Sequence, residues 1–194
     1  MNAGRPRDAR VTEAILDAVL AELADKGFGG LSMDAVARRA RVGKSALYRR
    51  WPSKIEMTAD LMRALSVTAD PAPDTGSLAG DVRALLDNVL TWLTDDRVRR
   101  VYPDLIAEAQ RTPALGEALM AYVGRPRRAR ATEVLDRAVA RGEVAVDADQ
   151  EVIVDAMGAL VFWRLIALGK SVTARHLDRL TVAICAMARG NASM

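Results

Sequence analysis

Leu31-Ser32-Met33-Asp34-Ala35-Val36-Ala37-Arg38-Arg39-Ala40-Arg41-Val42-Gly43-Lys44-Ser45-Ala46-Leu47-Tyr48-Arg49-Arg50-Trp51-Pro52 holds two short helical patterns parted by three residues. Ser32 is a capping residue, Asp34 follows in the first turn where a carboxylate favours the dipole, and Met33, Val36, Ala37 and Ala40 supply one apolar face. The break falls at Arg41-Val42-Gly43, and the second pattern runs from Lys44 until Pro52 forbids continuation. Leu47 and Trp51, four apart, share the inward face. Lys44, Ser45 and Ala46 stand at the helix start, where backbone N–H groups can meet phosphates or base edges, with Tyr48 and Arg49 one turn on. This is the pattern of a helix-turn-helix, which sets its second helix in the major groove of DNA. A solvated surface helix would share the local pattern, so the flanking sequence has to separate the two readings.

Upstream, Val11, Ile15, Val19 and Leu23 recur every four residues until Lys26-Gly27, a cation followed by a residue tolerant of left-handed backbone. Downstream, Ser53-Lys54-Ile55-Glu56 reads as a capping box opening a fourth helix toward Ala69. Residues 1–54 carry 11 Lys/Arg against 6 Asp/Glu, whereas the rest of the 194-residue chain carries 17 against 19. A basic module joined to a near-neutral remainder suggests nucleic-acid contact coupled to a second task.

That remainder also reads as helix. Asp70-Pro71-Ala72-Pro73-Asp74-Thr75-Gly76-Ser77 has loop composition and marks a boundary. Leu78 to Leu93 follows as one helix, and Val98 to Ile106 as another, bent or restarted at Pro103. A third starts at Thr112-Pro113, a cap with a first-position proline, and breaks at Gly124-Arg125-Pro126 before resuming to Arg141-Gly142. Val152–Leu168 is apolar nearly all round, which implies burial on more than one side, and Leu177, Leu180, Ile184 and Met187 form a single stripe. The expected fold is all-α. Residues 1–57 form a three-helix helix-turn-helix domain, with a fourth helix over 53–69 connecting, a linker at 70–77, and a helical ligand-binding and dimerisation bundle over 78–194.

Composition narrows the classes. With 51% hydrophobic and 27% charged residues the chain is neither a disordered tail nor a fibre. The single Cys185 makes no internal disulfide, and the single His176 cannot complete a zinc site, so a reducing cytoplasm and no metal or cofactor are expected. The apolar run Val152–Leu168 is interrupted by Asp155 and Arg164, and the N-terminus has no signal-peptide core; no membrane partner is expected. Gly43-Lys44-Ser45 imitates the end of a phosphate loop, but Arg38 stands where its glycine belongs. Gly27-Phe28-Gly29-Gly30 completes no dinucleotide fingerprint, and no Gly-x-Ser-x-Gly elbow serves His176, so no enzymatic activity is expected. Arg125, Arg127, Arg128 and Arg130 read as a solvated helix face beside Glu133 and Asp136, with a second DNA contact as the alternative.

Several stretches together carry a family likeness: Arg10-Val11-Thr12-Glu13-Ala14-Ile15-Leu16, Lys26-Gly27-Phe28, Leu31-Ser32-Met33, Val36-Ala37, Ala40 to Tyr48, and Trp51-Pro52-Ser53-Lys54. Over about residues 10 to 57 the sequence resembles the N-terminal signature of the TetR family of transcriptional regulators. The remainder is similar more loosely, best from Arg141-Gly142-Glu143 through Leu168. The resemblance implies that Ser32 caps its helix and touches a phosphate, that Lys44, Ser45, Ala46 and Arg49 approach base edges or nearby phosphates, and that Tyr48 and Lys54 grip the backbone. Arg41 stands where the family usually has a turn glycine, and Gly43 where it usually has serine or threonine. Arg41 therefore either bears left-handed strain of roughly 1 kcal/mol or adds a phosphate contact, and the sequence leaves both open.

The resemblance further implies double-stranded DNA with a palindromic operator as partner, a homodimer through the last two helices, and an apolar or amphipathic small effector. Gly158 permits close approach at the dimer seam, where Leu180 and Ile184 are interface candidates. Trp92, Tyr102, Met120, Met157 and Phe162 are the candidate effector-lining residues, with core or dimer-interface packing as the alternative for each. The expected function is a ligand-responsive repressor. The alternative is a helical ligand- or partner-binding protein with a vestigial DNA-binding module, and activation is not separable from repression.

Overall fold

The computed structural model describes residues 5–66 and 71–189, which among them form ten α-helices and two π-helical turns and no strand. These residues divide into two compact units that interleave along the chain: 5–66 with 96–123, and 71–95 with 124–189. The chain passes between units at three places, after residues 66, 95 and 123, and the stretch 71–77 lies within the second unit.

In the first unit α1 (Arg5–Gly30) buries Ile15, Ala18, Val19 and Leu23, the stripe expected from the four-residue spacing. Its regular path ends at Gly27, where φ is 66° and a Cβ would come within 3.1 Å of an Asp104 carboxylate oxygen. Glycine is needed there on both counts. Asp104 lies on α6 (Asp96–Ala109) and accepts the Phe28 N–H at 2.9 Å. α2 (Met33–Ala40) starts at Ser32, whose hydroxyl oxygen accepts the Ala35 N–H at 3.1 Å. α3 (Lys44–Arg50) starts at Gly43, which gives no side-chain cap. α4 (Lys54–Leu65) opens with the capping box formed by Ser53 and Glu56. α4 ends at Leu65, where Ser66 turns to extended backbone (φ −82°, ψ 124°), short of the expected end at Ala69; residues 67–70 lie outside the described residues.

α6 runs unbroken through Pro103, so the expected restart does not occur. α7 (Pro113–Leu119) begins at the expected proline, but the Thr112 hydroxyl donates to Glu108 at 2.9 Å and caps nothing. α1 packs on α2, α4 and α6, and α7 on α4 and α6.

In the second unit α5 (Leu78–Thr94) packs on α8 (Arg125–Ala140), α9 (Gln150–Phe162) and α10 (Ala174–Ala188). The break expected at Gly124-Arg125-Pro126 is a π-helical turn, Met120–Gly124, leading directly into α8. A second π turn, Trp163–Ala167, follows α9.

The stretch read as a linker is strapped down from residue 71 to 77. Arg130 donates to the Pro71 carbonyl at 3.1 Å, and the backbone N–H and hydroxyl of Thr75 donate to the buried Asp81 at 2.6 and 2.8 Å. Arg141 reaches the same carboxylate at 3.2 Å, while Glu143 accepts the Leu78 N–H at 2.6 Å. Loop composition reveals turn chemistry; it does not reveal which distant side chains satisfy the loop's backbone. The arginine cluster is likewise not a freely solvated face. Arg127 stacks 4.2 Å from the Trp92 ring centroid, Arg128 pairs with Asp155, and Arg130 holds Pro71.

The all-round burial expected for Val152–Leu168 holds for one side only. Ile153, Val154, Met157 and Val161 are buried, whereas Val152, Leu160, Trp163 and Leu168 are exposed, Trp163 by 60%. On α10 the interface candidate Ile184 points into its own unit and is fully buried; Leu180 is half-buried, and the outward apolar residues are Val182 and Met187. α10 thus carries two apolar faces, Leu177 and Ile184 inward and Val182 and Met187 outward, where the sequence pattern shows one stripe.

Candidate nucleic-acid interface

The face of the first unit built by α2, the turn and α3 is set by what α3 buries. Leu47 is wholly enclosed and Trp51 nearly so, its indole N–H donating to Asp60 on α4 at 3.2 Å. With that side fixed, Lys44, Ser45, Tyr48 and Arg49 are exposed together and Ala46 is half-exposed.

Two backbone features place α3. Arg41 adopts φ 56°, ψ 40°, the left-handed conformation, and its N–H donates to Arg38 O at 3.2 Å while Val42 N–H reaches Ala37 O at 3.0 Å. This closes α2 with the hydrogen bonds usual for a glycine terminator, performed by an arginine. Of the two readings the sequence left open, strain is therefore present; the exposed side chain remains available for a phosphate. Gly43 then enters α3 in extended conformation.

Ion pairs between α1 and α2 hold the unit. Glu22, buried on α1, accepts from Lys26 and from Arg39 of α2, each at 2.8 Å, and Arg39 also reaches Asp25 at 2.8 Å. The Lys26 hydrogen bond, with Arg39 adding to it, holds the Glu22 carboxyl below the usual glutamate range against the upward push of burial. Arg39 is thereby a structural cation.

Lys54 is half-buried; its ammonium donates to Phe28 O at 2.9 Å and lies 4.5 Å from the Phe28 ring centroid. It fastens α4 to the end of α1, a task the sequence did not show. Phe28 is held at both ends of its residue, N–H by Asp104 and carbonyl by Lys54. The sequence also missed Asp34, whose carboxylate binds the Lys44 ammonium at 2.6 Å. The signal was present: a lysine at the first position of a helix opposes the dipole and calls for a counter-charge.

The effector candidates are not gathered in one unit. Trp92 and Met157 are buried in the second unit and Phe162 is half-buried there, while Tyr102 and Met120 belong to the first. Among the described residues no three His, Cys, Asp or Glu side chains come together as metal ligands, and no helix is long and apolar enough to cross a membrane.

A buried-backed, exposed helix of basic and hydroxyl side chains on a helical head, in a chain that also builds a four-helix unit, defines a helix-turn-helix regulator of transcription. The chain belongs to the TetR family: residues 15–61 match the family described as bacterial regulatory proteins, tetR family, and residues 72–184 match the tetracyclin repressor-like C-terminal domain. It is 32% identical to the HTH-type transcriptional regulator YdeS of Bacillus subtilis over 92% of this chain and 90% of that one. It is also 32% identical to the DNA-binding transcriptional repressor TetR of Mycobacteroides abscessus, over 86% and 87%. The fold is that of GusR from Salmonella enterica, with a TM-score of 0.78 at 20% identity covering 97% and 99% of the two chains. Members of this family are DNA-binding regulators and not enzymes.

Proposed function

We propose that the chain is a cytoplasmic repressor that binds a palindromic operator as a homodimer and is released by a small apolar or amphipathic effector. The observation that carries the reading is the α3 surface: Leu47 and Trp51 buried behind it, Lys44, Ser45, Tyr48 and Arg49 presented in front. Arg49 supplies a fork suited to guanine O6 and N7, and Ser32, Arg41 and Tyr48 supply backbone contacts. Ser45 and Ala46 stand at the base-facing start of α3. Lys54 contributes to phosphate binding with the donors left after Phe28 O.

A seven-residue helix reads few base pairs, so affinity requires two half-sites. The exposed apolar residues of α9, the turn after it and α10, namely Val152, Leu160, Trp163, Val182 and Met187, are the surface for a second copy. Kinship with a named repressor favours repression. In the second unit Trp92, Met157 and Phe162 are the proposed apolar lining for the effector; Tyr102 and Met120 belong to the first unit and are not part of that lining.

The test is selection of duplexes from a random-sequence pool by the full chain, followed by light scattering of the complex. A two-fold-symmetric consensus bound by two copies is the expected result. A monomer on an asymmetric site, or no enriched sequence, overturns the reading.

A further inference from the structure

The Lys44–Asp34 ion pair joins the first turn of α3 to the first turn of α2, the helix that the exposed Ser32 caps. Its side chains are 63% and 45% exposed, so neither is held by core packing. An acidic group in a face that meets polyanionic DNA weakens phosphate attraction, which makes its presence beside Lys44 informative. A lysine neutralised by a carboxylate loses most of its attraction for phosphates at a distance, since the pair has no net charge. It keeps two of its three N–H donors for acceptors in direct contact. Non-specific binding depends on the first property and base reading on the second.

We propose that Asp34 is a specificity-determining residue: by pairing with Lys44 it removes that lysine from phosphate attraction and assigns its remaining donors to a base edge, the O6 and N7 acceptors of a guanine. This rests on the DNA-binding reading above and names which cation of the face contributes discrimination without charge.

The experiment uses the full-length chain, a duplex that the wild type enriches from a random pool, and a scrambled duplex of equal length, titrated over a range of salt. Asp34→Asn leaves Lys44 charged in both subunits. Scrambled-duplex affinity is expected to rise about 3- to 10-fold, the slope of log affinity against log salt to steepen by about 2, and the enriched-to-scrambled ratio to fall. Asp34→Asn with Lys44→Met has the net charge of the wild type. It should keep the wild-type slope and scrambled-duplex affinity while losing roughly 10-fold or more on the enriched duplex, concentrated at one base pair per half-site. Asp34→Glu, which preserves the pair, should retain wild-type slope and ratio.

An unchanged slope and ratio in Asp34→Asn overturns the proposal, as does a double variant with the wild-type ratio. Melting temperatures within a few degrees of wild type show that the variants compare folded proteins. Failure of the wild type to enrich any duplex refutes the DNA-binding reading itself, whereas enrichment with insensitive variants refutes only the role of Asp34.

Discussion

Arg41→Gly is expected to make the protein more stable. The φ of 56° at Arg41 places a side-chain-bearing residue in the left-handed region, at a cost of about 1–2 kcal/mol. Glycine removes that cost but raises the conformational entropy of the unfolded chain, which takes back about 0.4–1 kcal/mol. The Arg38 and Ala37 carbonyl acceptors at the end of α2 are backbone groups and survive the change. The net gain is about 0.5–1 kcal/mol, or roughly 1–4 °C in Tm for a chain of this size. Arg41→Ala is the control, because alanine loses the charge and keeps the Cβ. Thermal and guanidinium unfolding should rank the glycine variant above both the alanine variant and the wild type. Equal stability of the glycine and alanine variants would refute the claim that strain is stored at this turn. If the side chain also meets a phosphate, both variants flatten the salt slope of DNA binding by about 2 in a dimer, independently of their stabilities.

Glu22→Gln should destabilise the fold by about 1–3 kcal/mol at neutral pH, by removing the acceptor charge shared by Lys26 and Arg39. Because the Glu22 carboxyl is held low in the folded state, its contribution is complete above the ordinary glutamate value and fades as pH falls through the lowered one. The stability gap between wild type and variant, followed by urea unfolding from pH 7 to pH 3, should therefore narrow toward acid. Asp104→Ala leaves the Phe28 N–H without its carboxylate and should cost about 1–3 kcal/mol in the same assay. Trp163→Glu puts a charge on the exposed apolar face and should weaken self-association by about 2 kcal/mol or more, near 30-fold in Kd by sedimentation, with little change in helix content.

The reading head was legible because its signals are local. Ser32, Ser53 with Glu56, Gly27 and the Leu47/Trp51 pair each declare themselves within four residues, and each takes up the expected place. What the sequence hid depends on partners far along the chain. Asp104 reaches Phe28 across 76 positions, Arg141 reaches Asp81 across 60, and Lys54 turns to Phe28 O. No periodicity marks such pairings. The exposed apolar face is a different case: an all-apolar run states that both sides are to be covered, and the fold of one chain covers only one. At Pro103 the expected restart does not occur: α6 continues through it, packed on α1.

The interleaving of the two units bears on how such a protein can be recombined. A chimaera joined once, at the loop before residue 78, would take α1 to α4 from one parent and leave α6 and α7 to the other. The acceptor for the Phe28 N–H would then come from a foreign helix, as would the surface on which α1 rests. Exchange of DNA specificity by transplanting the head therefore needs three junctions, near residues 66, 95 and 123. Single-site shuffling can preserve the pattern of the helix-turn-helix and still lose the helix that seats it, whereas substitutions confined to the exposed side of α3 leave that seat untouched. Gradual change on that surface is the mechanically easier route by which relatives of this fold can diverge in the DNA they recognise.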